Sequence, residues 1–345
     1  MLTDLRLRDF RCFSDLQIRF GSARTFVVGP NAVGKTSLLE AACVALRMQS
    51  PRAITLSDVI QIGCPSLSVE GHFSDTHFQL SYGANGRQIW LDSKLQTGTS
   101  DYLDMARVAW FGNADRDLVQ GSGSVRRRYL DFLGSQSLPG YRSTLRCYDR
   151  ALRSRNSLLK ERRPRREVAA FDEPLVQAGE LLHTMRRALL DVLGPLATAA
   201  CAEISGNSDA LSTTYAPGCI GVLREALLAS RAEEERLRLT TVGPHRDDVL
   251  LKLNNKEAGT FASEGQQRSI ALALKLAQAR HLHAVQGRAP VLLLDDIFGE
   301  LDIARRNRLL ASLPSNAQII ITTTTFDWAQ KADTDVVISL PLAAG

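Results

Sequence analysis

The chain has 345 residues, 44% apolar and 23% charged, which is ordinary for a globular protein and enough for two domains with a sizeable core. Its net charge of +5 and pI near 9.0 permit an anionic partner such as nucleic acid without demanding one. The six cysteines (12, 43, 64, 147, 201 and 219) show neither C-x-x-C nor metal-ligand spacing, and no secretory leader or long apolar run appears, so the expectation is a reducing cytoplasm with no membrane partner.

In chain order, residues 2–20 alternate in hydropathy, which predicts two half-buried strands joined at 11–14. A short apolar run, 25–28, leads into Gly29-Pro30-Asn31-Ala32-Val33-Gly34-Lys35-Thr36, and a helical pattern follows over 37–46. Strands are predicted at 69–73, 77–82, 88–91 and 107–111, with Asn85-Gly86 as a hairpin turn. From about 115 the pattern turns helical, over 125–137, 141–161, 167–204 and 221–236, with a short segment punctuated at 205–208 and 216–218. Alternation with helices resumes after 237: a strand at 249–253, a helix at 264–285, buried strands at 290–294 and 318–321, a helix at 303–313 and a strand at 336–340. The reading is an α/β nucleotide-binding domain split into 1–112 and 237–345, interrupted by a mainly helical arm, 113–236.

The G-x-x-x-x-G-K-T stretch between strand and helix is a phosphate-binding P-loop. Its glycines let backbone N–H groups wrap an anion, and the helix N-terminus adds partial positive charge. Lys35 would reach the β- and γ-phosphates of ATP, Thr36 would bind Mg²⁺, and Ser37 continues the turn. Asp295 and Asp296 end the apolar run Val291-Leu292-Leu293-Leu294, a Walker B arrangement at the C-terminal end of a strand. There Asp295 would hold Mg²⁺, partly through water, and Asp296 would orient or deprotonate the attacking water. Ser263-Glu264-Gly265-Gln266 opens the 264–285 helix at the spacing of an ABC-type signature. Helix capping alone also accounts for Ser263 and Glu264. In ABC ATPases this signature meets a phosphate held by a second subunit, so one P-loop and one signature imply a homodimer around two ATP. Leu301 and Asp302 fit the loop lining that interface, and Thr323 the switch position.

Basic residues crowd the arm: Arg126, Arg127 and Arg128 together, then Arg153, Arg155, Lys160, Arg162 and Arg163. Two readings fit them. They are a solvated helix face or linker, or they track the phosphates of DNA. His245 likewise reads either as a phosphate or interface residue or as an ordinary turn histidine.

These motifs resemble the SMC-like branch of ABC ATPases, and the RecF family closely. The resemblance is carried by Leu7-Arg8-Asp9-Phe10-Arg11-Cys12-Phe13, Leu118-Val119-Gln120-Gly121, Arg126 to Asp131, Tyr141 to Lys160, and above all Gly243-Pro244-His245-Arg246-Asp247-Asp248. It implies an ABC/SMC-like P-loop ATPase domain, a mixed sheet with helices, carrying a helical insertion. Arg11 becomes a candidate nucleotide contact. The family likeness also implies a slow, DNA-stimulated ATPase that clamps double-stranded DNA and single-strand/duplex junctions as an ATP-bound homodimer. Its expected associates are RecR and RecO, with loading of RecA as the outcome. Rival readings are an SMC-like ATPase of another DNA process, a small-molecule P-loop kinase and a non-catalytic DNA scaffold. The signature helix and paired carboxylates disfavour the kinase.

Overall fold

The computed structural model describes residues 1–326, 328 and 332–341. The chain divides into two units, one of Met1–Ala114 with Gln278–Gly345 and one of Asp115–Ala277.

The first unit opens with β1 (Leu2–Phe10), β2 (Phe13–Arg19), β3 (Arg24–Val28) and α1 (Lys35–Arg47). It continues through β4 (Ser66–Phe73), β5 (Thr76–Gly83), β6 (Gly86–Leu91), β7 (Lys94–Leu95), α2 (Ser100–Asp104) and β8 (Val108–Gly112). The second unit holds α3 (Asp117–Gln120), α4 (Gly123–Ser137), α5 (Tyr141–Lys160), α6 (Arg165–Ala169) and α7 (Asp172–Ser205). After them come β9 (Leu211–Ala216), α8 (Leu223–Ala229), α9 (Arg231–Leu237), β10 (Asp248–Leu253), β11 (Lys256–Glu257) and α10 (Ala258–Phe261). The chain leaves that unit along α11 (Glu264–Gln286) and closes the first with β12 (Val291–Asp295), α12 (Ile303–Ser312), β13 (Ile319–Thr323) and β14 (Val336–Ser339).

Strands of the first unit sort into two sheets. The antiparallel one runs β2-β1-β4-β5-β6-β7, and its alternating burial explains the period-two pattern of residues 2–20. The parallel one runs β14-β3-β13-β12-β8. Its central strands are continuous apolar runs, and α1 is buried from Leu38 to Leu46. A helix apolar on every side has no solvent face and belongs in a core.

In the second unit α5 lays Tyr141, Tyr148 and Ala151 against Leu175, Val176 and Leu182 of α7. Helix α7 starts where Asp172, Glu173 and Pro174 suit a first turn, and stops at Gly206, whose φ of 71° is left-handed. Residues 165–205 are long and apolar enough to cross a bilayer by length and composition, but Leu182, Leu189, Leu193, Ala197 and Ile204 are buried in the protein core.

Two expectations shift. The predicted 221–236 helix is two short helices that meet at Ser230. Residues 237–277 fall with the second unit rather than with the P-loop, because β10 pairs along its whole length with β9, a strand that the sequence pattern showed only as a short segment.

Candidate functional site

Strand β3 sits between β14 and β13, so the P-loop leaves the sheet at its C-terminal edge. A Cβ on Gly29 would lie 2.3 Å from the Leu340 carbonyl oxygen, so the backbone passes where no side chain fits. Gly34 caps α1 at φ 99°, and a Cβ there would meet the Phe13 ring at 2.6 Å and Cys12 Sγ at 2.8 Å. The turn after β1 thus presses on the P-loop, a contact the sequence did not announce. Pro30, Asn31 and Ala32 are exposed, Val33 and Ser37 half-buried. Lys35 is buried and its Nζ donates to the carbonyls of Gly29 and Pro30, both at 2.7 Å.

Thr36 Oγ1 donates to Asp295 Oδ1 at 2.8 Å, joining the first turn of α1 to the end of β12. From β13, between β3 and β12, Thr322 Oγ1 donates to the same oxygen at 2.9 Å. Burial pushes the Asp295 carboxyl above its usual range, opposed by those two hydroxyls and by the charges of Arg52 and Lys35. Asp296 follows at φ 52°, with its N–H directed to the Thr322 carbonyl at 3.2 Å and to Thr322 Oγ1 at 3.0 Å. A left-handed residue at a strand end is the kind of local strain found at functional sites. The threonine at the carboxylate is therefore Thr322. Thr323, expected at the switch position, is buried and donates to the Thr325 carbonyl at 2.7 Å, because successive strand residues face opposite sides.

Arg11, at φ 54°, donates through Nε and Nη2 to the buried Glu40 carboxylate, both at 2.9 Å, and through Nη1 to the Asp58 carbonyl at 2.7 Å. Ser50 Oγ adds a hydrogen bond to Glu40 at 2.6 Å. Glu40 carried no sequence signal beyond its place on the P-loop helix.

The signature residues lie in the second unit. Ser263 is exposed; its N–H donates to Gln266 Oε1 at 3.0 Å while its Oγ accepts from the Gln266 N–H at 3.3 Å, a reciprocal cap. Gln266 Nε2 also donates to Asp209 at 2.9 Å, and Gly265 is half-buried. In the first unit Leu301 is buried and Asp302 caps α12, accepting from the Arg305 N–H at 2.8 Å.

The arm's basic residues divide. Arg155 is fully buried and ion-paired with Glu234 at 2.7 Å and Asp172 at 2.9 Å. Arg126 forks onto Asp248 at 2.6 and 2.8 Å and also reaches the carbonyls of Leu118 and Gly121. Arg127 donates to the Asp247 carbonyl at 2.6 Å. All three hold the unit together, and Arg155, wholly buried, is closed to DNA, against the phosphate-tracking reading; Arg126 and Arg127 are half-buried. Arg128, Arg153, Lys160, Arg162 and Arg163 are exposed. A signal existed for Arg155: it lies on the 141–144–148–151–155–159 stripe that α5 buries.

Asp247 is the hub of the Gly243–Asp248 stretch. Its carboxylate accepts from Arg186 at 2.7 Å, from the Gly218 N–H at 2.7 Å and from the Tyr215 hydroxyl, and pairs with His183 at 2.9 Å. His245 Nδ1 meets the Tyr148 hydroxyl at 2.7 Å and Nε2 meets the Thr240 carbonyl at 2.9 Å. The carbonyl requires a proton on Nε2; burial holds the ring's pKa down to about 4, so near neutral pH the ring is uncharged and Nδ1 accepts from the Tyr148 hydroxyl. The most distinctive stretch of the sequence is thus internal scaffolding.

Residues 1–341 match the family model described as RecF/RecN/SMC N terminal domain. A DNA replication and repair protein RecF of Myxococcus xanthus is 33% identical over 364 residues, covering 100% of this chain and 96% of its own length. The chain belongs to the RecF family. Another relative of that name, from Anaeromyxobacter dehalogenans, is 37% identical over 345 residues, covering 94% of this chain and 92% of its own. A solved structure of the recombination mediator protein RecF–ATPrS in the RecFOR pathway superposes with a TM-score of 0.85 at 27% identity, covering 98% of this chain and 97% of that one. An Smc head bound to the C-terminal winged-helix domain of ScpA shares the fold at a TM-score of 0.52 and 16% identity.

Proposed function

We propose that this protein is an ATP-binding recombination mediator acting in DNA repair and replication in the cytoplasm. The observation that carries the reading is the convergence of the P-loop and Asp295 through Thr36 at 2.8 Å. Gly29 and Gly34 let the loop backbone pass tightly against Leu340 and Phe13, where any Cβ would intrude, and so hold the P-loop in its turn. Lys35, close by on the Gly29 and Pro30 carbonyls, would turn to the β- and γ-phosphates. Among the described residues no cluster of three or more His, Cys, Asp or Glu suits a metal. The Thr36 and Asp295 oxygens nevertheless fit Mg²⁺, a hard ion that takes few protein ligands and completes its shell with water and phosphate oxygens. Bound there, Mg²⁺ would supply charge neutralisation at the phosphates. Asp296 would orient the water that attacks the γ-phosphate, with proton transfer to its carboxylate.

On this reading ATP completes a homodimer when Ser263 and Gly265 of one copy meet the γ-phosphate held by the other. Leu301 and Asp302 line the interface. Slow, DNA-stimulated hydrolysis then removes the bridging phosphate and releases the pair. The relatives are named for DNA replication and repair, and the solved RecF belongs to the RecFOR pathway, which supports DNA as the ligand; on this reading the DNA is a duplex or a single-strand/duplex junction, RecR and RecO are the associates and RecA loading is the outcome. A nucleotide contact by Arg11 would need its guanidinium to exchange Glu40 for a phosphate. Sedimentation with and without ATP and duplex DNA tests the clamp: mass doubles with ATP and rises again with DNA. A mass indifferent to ATP refutes it.

A further inference from the structure

Arg162, Arg163, Arg165, Arg236 and Arg238 line one cavity of about 430 Å³ in the second unit. They come from two places far apart in sequence, the turn after α5 with the first residue of α6, and the end of α9 with the residue after it. Arg162 and Arg238 hold left-handed backbone, φ 55° and 57°, a region few non-glycine residues adopt.

Acidic neighbours account for three of the five. Arg163 pairs with Glu167 at 2.8 Å, Arg165 with Asp172 at 3.2 Å and Arg236 with Glu233 at 3.9 Å. Among the described residues Arg162 and Arg238 have no carboxylate within ion-pair distance. Arg165 Nε is shut away from solvent without a hydrogen-bond partner, and its Nη1 has the Glu234 carboxylate at 3.8 Å. A single carboxylate, Glu235, shares the lining. Buried Leu159 and Val168 supply apolar wall, which lowers the local dielectric and strengthens attraction for an anion.

The cavity adjoins the C-terminal end of α5, and that helix says what kind of anion. Its exposed residues include Arg146, Arg150, Arg153 and Lys160 and no carboxylate. At about 1.5 Å rise per residue they cover roughly 21 Å along one helix face. A line of cations this long, with no exposed carboxylate in it, suits a polyanion whose charges recur along a backbone, as the phosphates of a nucleic-acid strand do. Guanidinium forks also pair two-pronged with phosphate oxygens.

We propose that the cavity is a phosphate seat, taking one phosphate of a nucleic-acid strand whose neighbouring phosphates run along the exposed face of α5. It rests on the DNA-binding reading above and adds Arg236 and Arg238, which lie far from the arginine run in sequence.

Duplex binding by the full chain with ATP, followed by fluorescence anisotropy across salt concentrations, tests it. Arg162→Gln with Arg238→Gln should lower the log–log salt slope by about one, the single phosphate of the seat, and weaken binding about tenfold or more at low salt, whatever the base sequence. Arg162→Lys with Arg238→Lys keeps the charges and should retain most of the slope, which separates lost phosphate contacts from a misfolded turn. An unchanged slope in the folded Gln variant overturns the seat and leaves DNA binding standing. No duplex affinity in the unmodified chain overturns the DNA reading and the seat with it. Calorimetric binding of pyrophosphate that the Gln variant loses, with duplex affinity equal in both, overturns a nucleic acid as the source and assigns a small phosphate ligand instead.

Discussion

Thr36 Oγ1 donates to Asp295 Oδ1 at 2.8 Å across 259 positions of sequence. One hydrogen bond therefore ties the first turn after the P-loop to the strand end that carries the acids. The two carboxylates at that end should behave differently. With Asp295 as the proposed Mg²⁺ ligand, Asp295→Asn should make ATP binding insensitive to added Mg²⁺. Asp296→Asn should keep ATP and hold the dimer, seen as a persistent doubled mass in sedimentation. Prompt dissociation of that variant counts against Asp296 as the water-orienting acid.

Gly34→Ala asks whether the P-loop needs the contact with Phe13. Alanine at φ 99° is strained, and its methyl would sit 2.6 Å from the ring. A stability loss of about 1–2 kcal/mol and a tenfold or greater fall in ATP affinity are expected. Normal melting and normal ATP binding would show that the turn yields freely.

Ser263→Arg places a bulky cation at an exposed cap outside the core. The variant should bind ATP like the parent and stay monomeric. Calorimetry and sedimentation on one sample decide it, since a dimer there excludes the signature from the interface.

Among the described residues, Arg155→Ala leaves the buried Glu234 carboxylate with Arg165 alone, at 3.8 Å. Breaking one side of such a pair costs about 3–5 kcal/mol, while Arg153→Ala on the surface should stay within about 0.5 kcal/mol. Chemical denaturation of both compares them directly. Equal effects would contradict the division between internal and exposed arginines.

His245 supplies a pH signature. Its pKa in the fold is about 4 against an ordinary 6.5, so between those values the unfolded chain binds a proton that the folded chain refuses. Stability should be complete above pH 6.5 and fall towards pH 4, by about 3 kcal/mol from this residue. His245→Gln should flatten that part of the denaturation profile, and a parallel curve would place the ring in solvent.

Much of the first unit was legible. Strand alternation in 2–20, the apolar runs at 25–28, 291–294 and 318–321 and the helix after Lys35 all carry local periodicity, and each sits where its pattern indicated. Strand β9 was not, because Leu211–Ala216 is a short, mostly polar segment whose strand character depends on pairing with β10. That pairing also moves residues 237–277 out of the P-loop unit.

The P-loop, the paired aspartates and the capped signature helix could be read from sequence because each is a contiguous chemical pattern tied to a local backbone form. The arginines could not, since charge in a sequence carries no partner. Arg126, Arg127 and Arg155 became scaffold, and Arg162 and Arg238 came to face one cavity, only when Asp248, Glu234 and the end of α9 arrived from elsewhere in the chain. The energy of a charge depends on its surroundings, which only the tertiary structure determines.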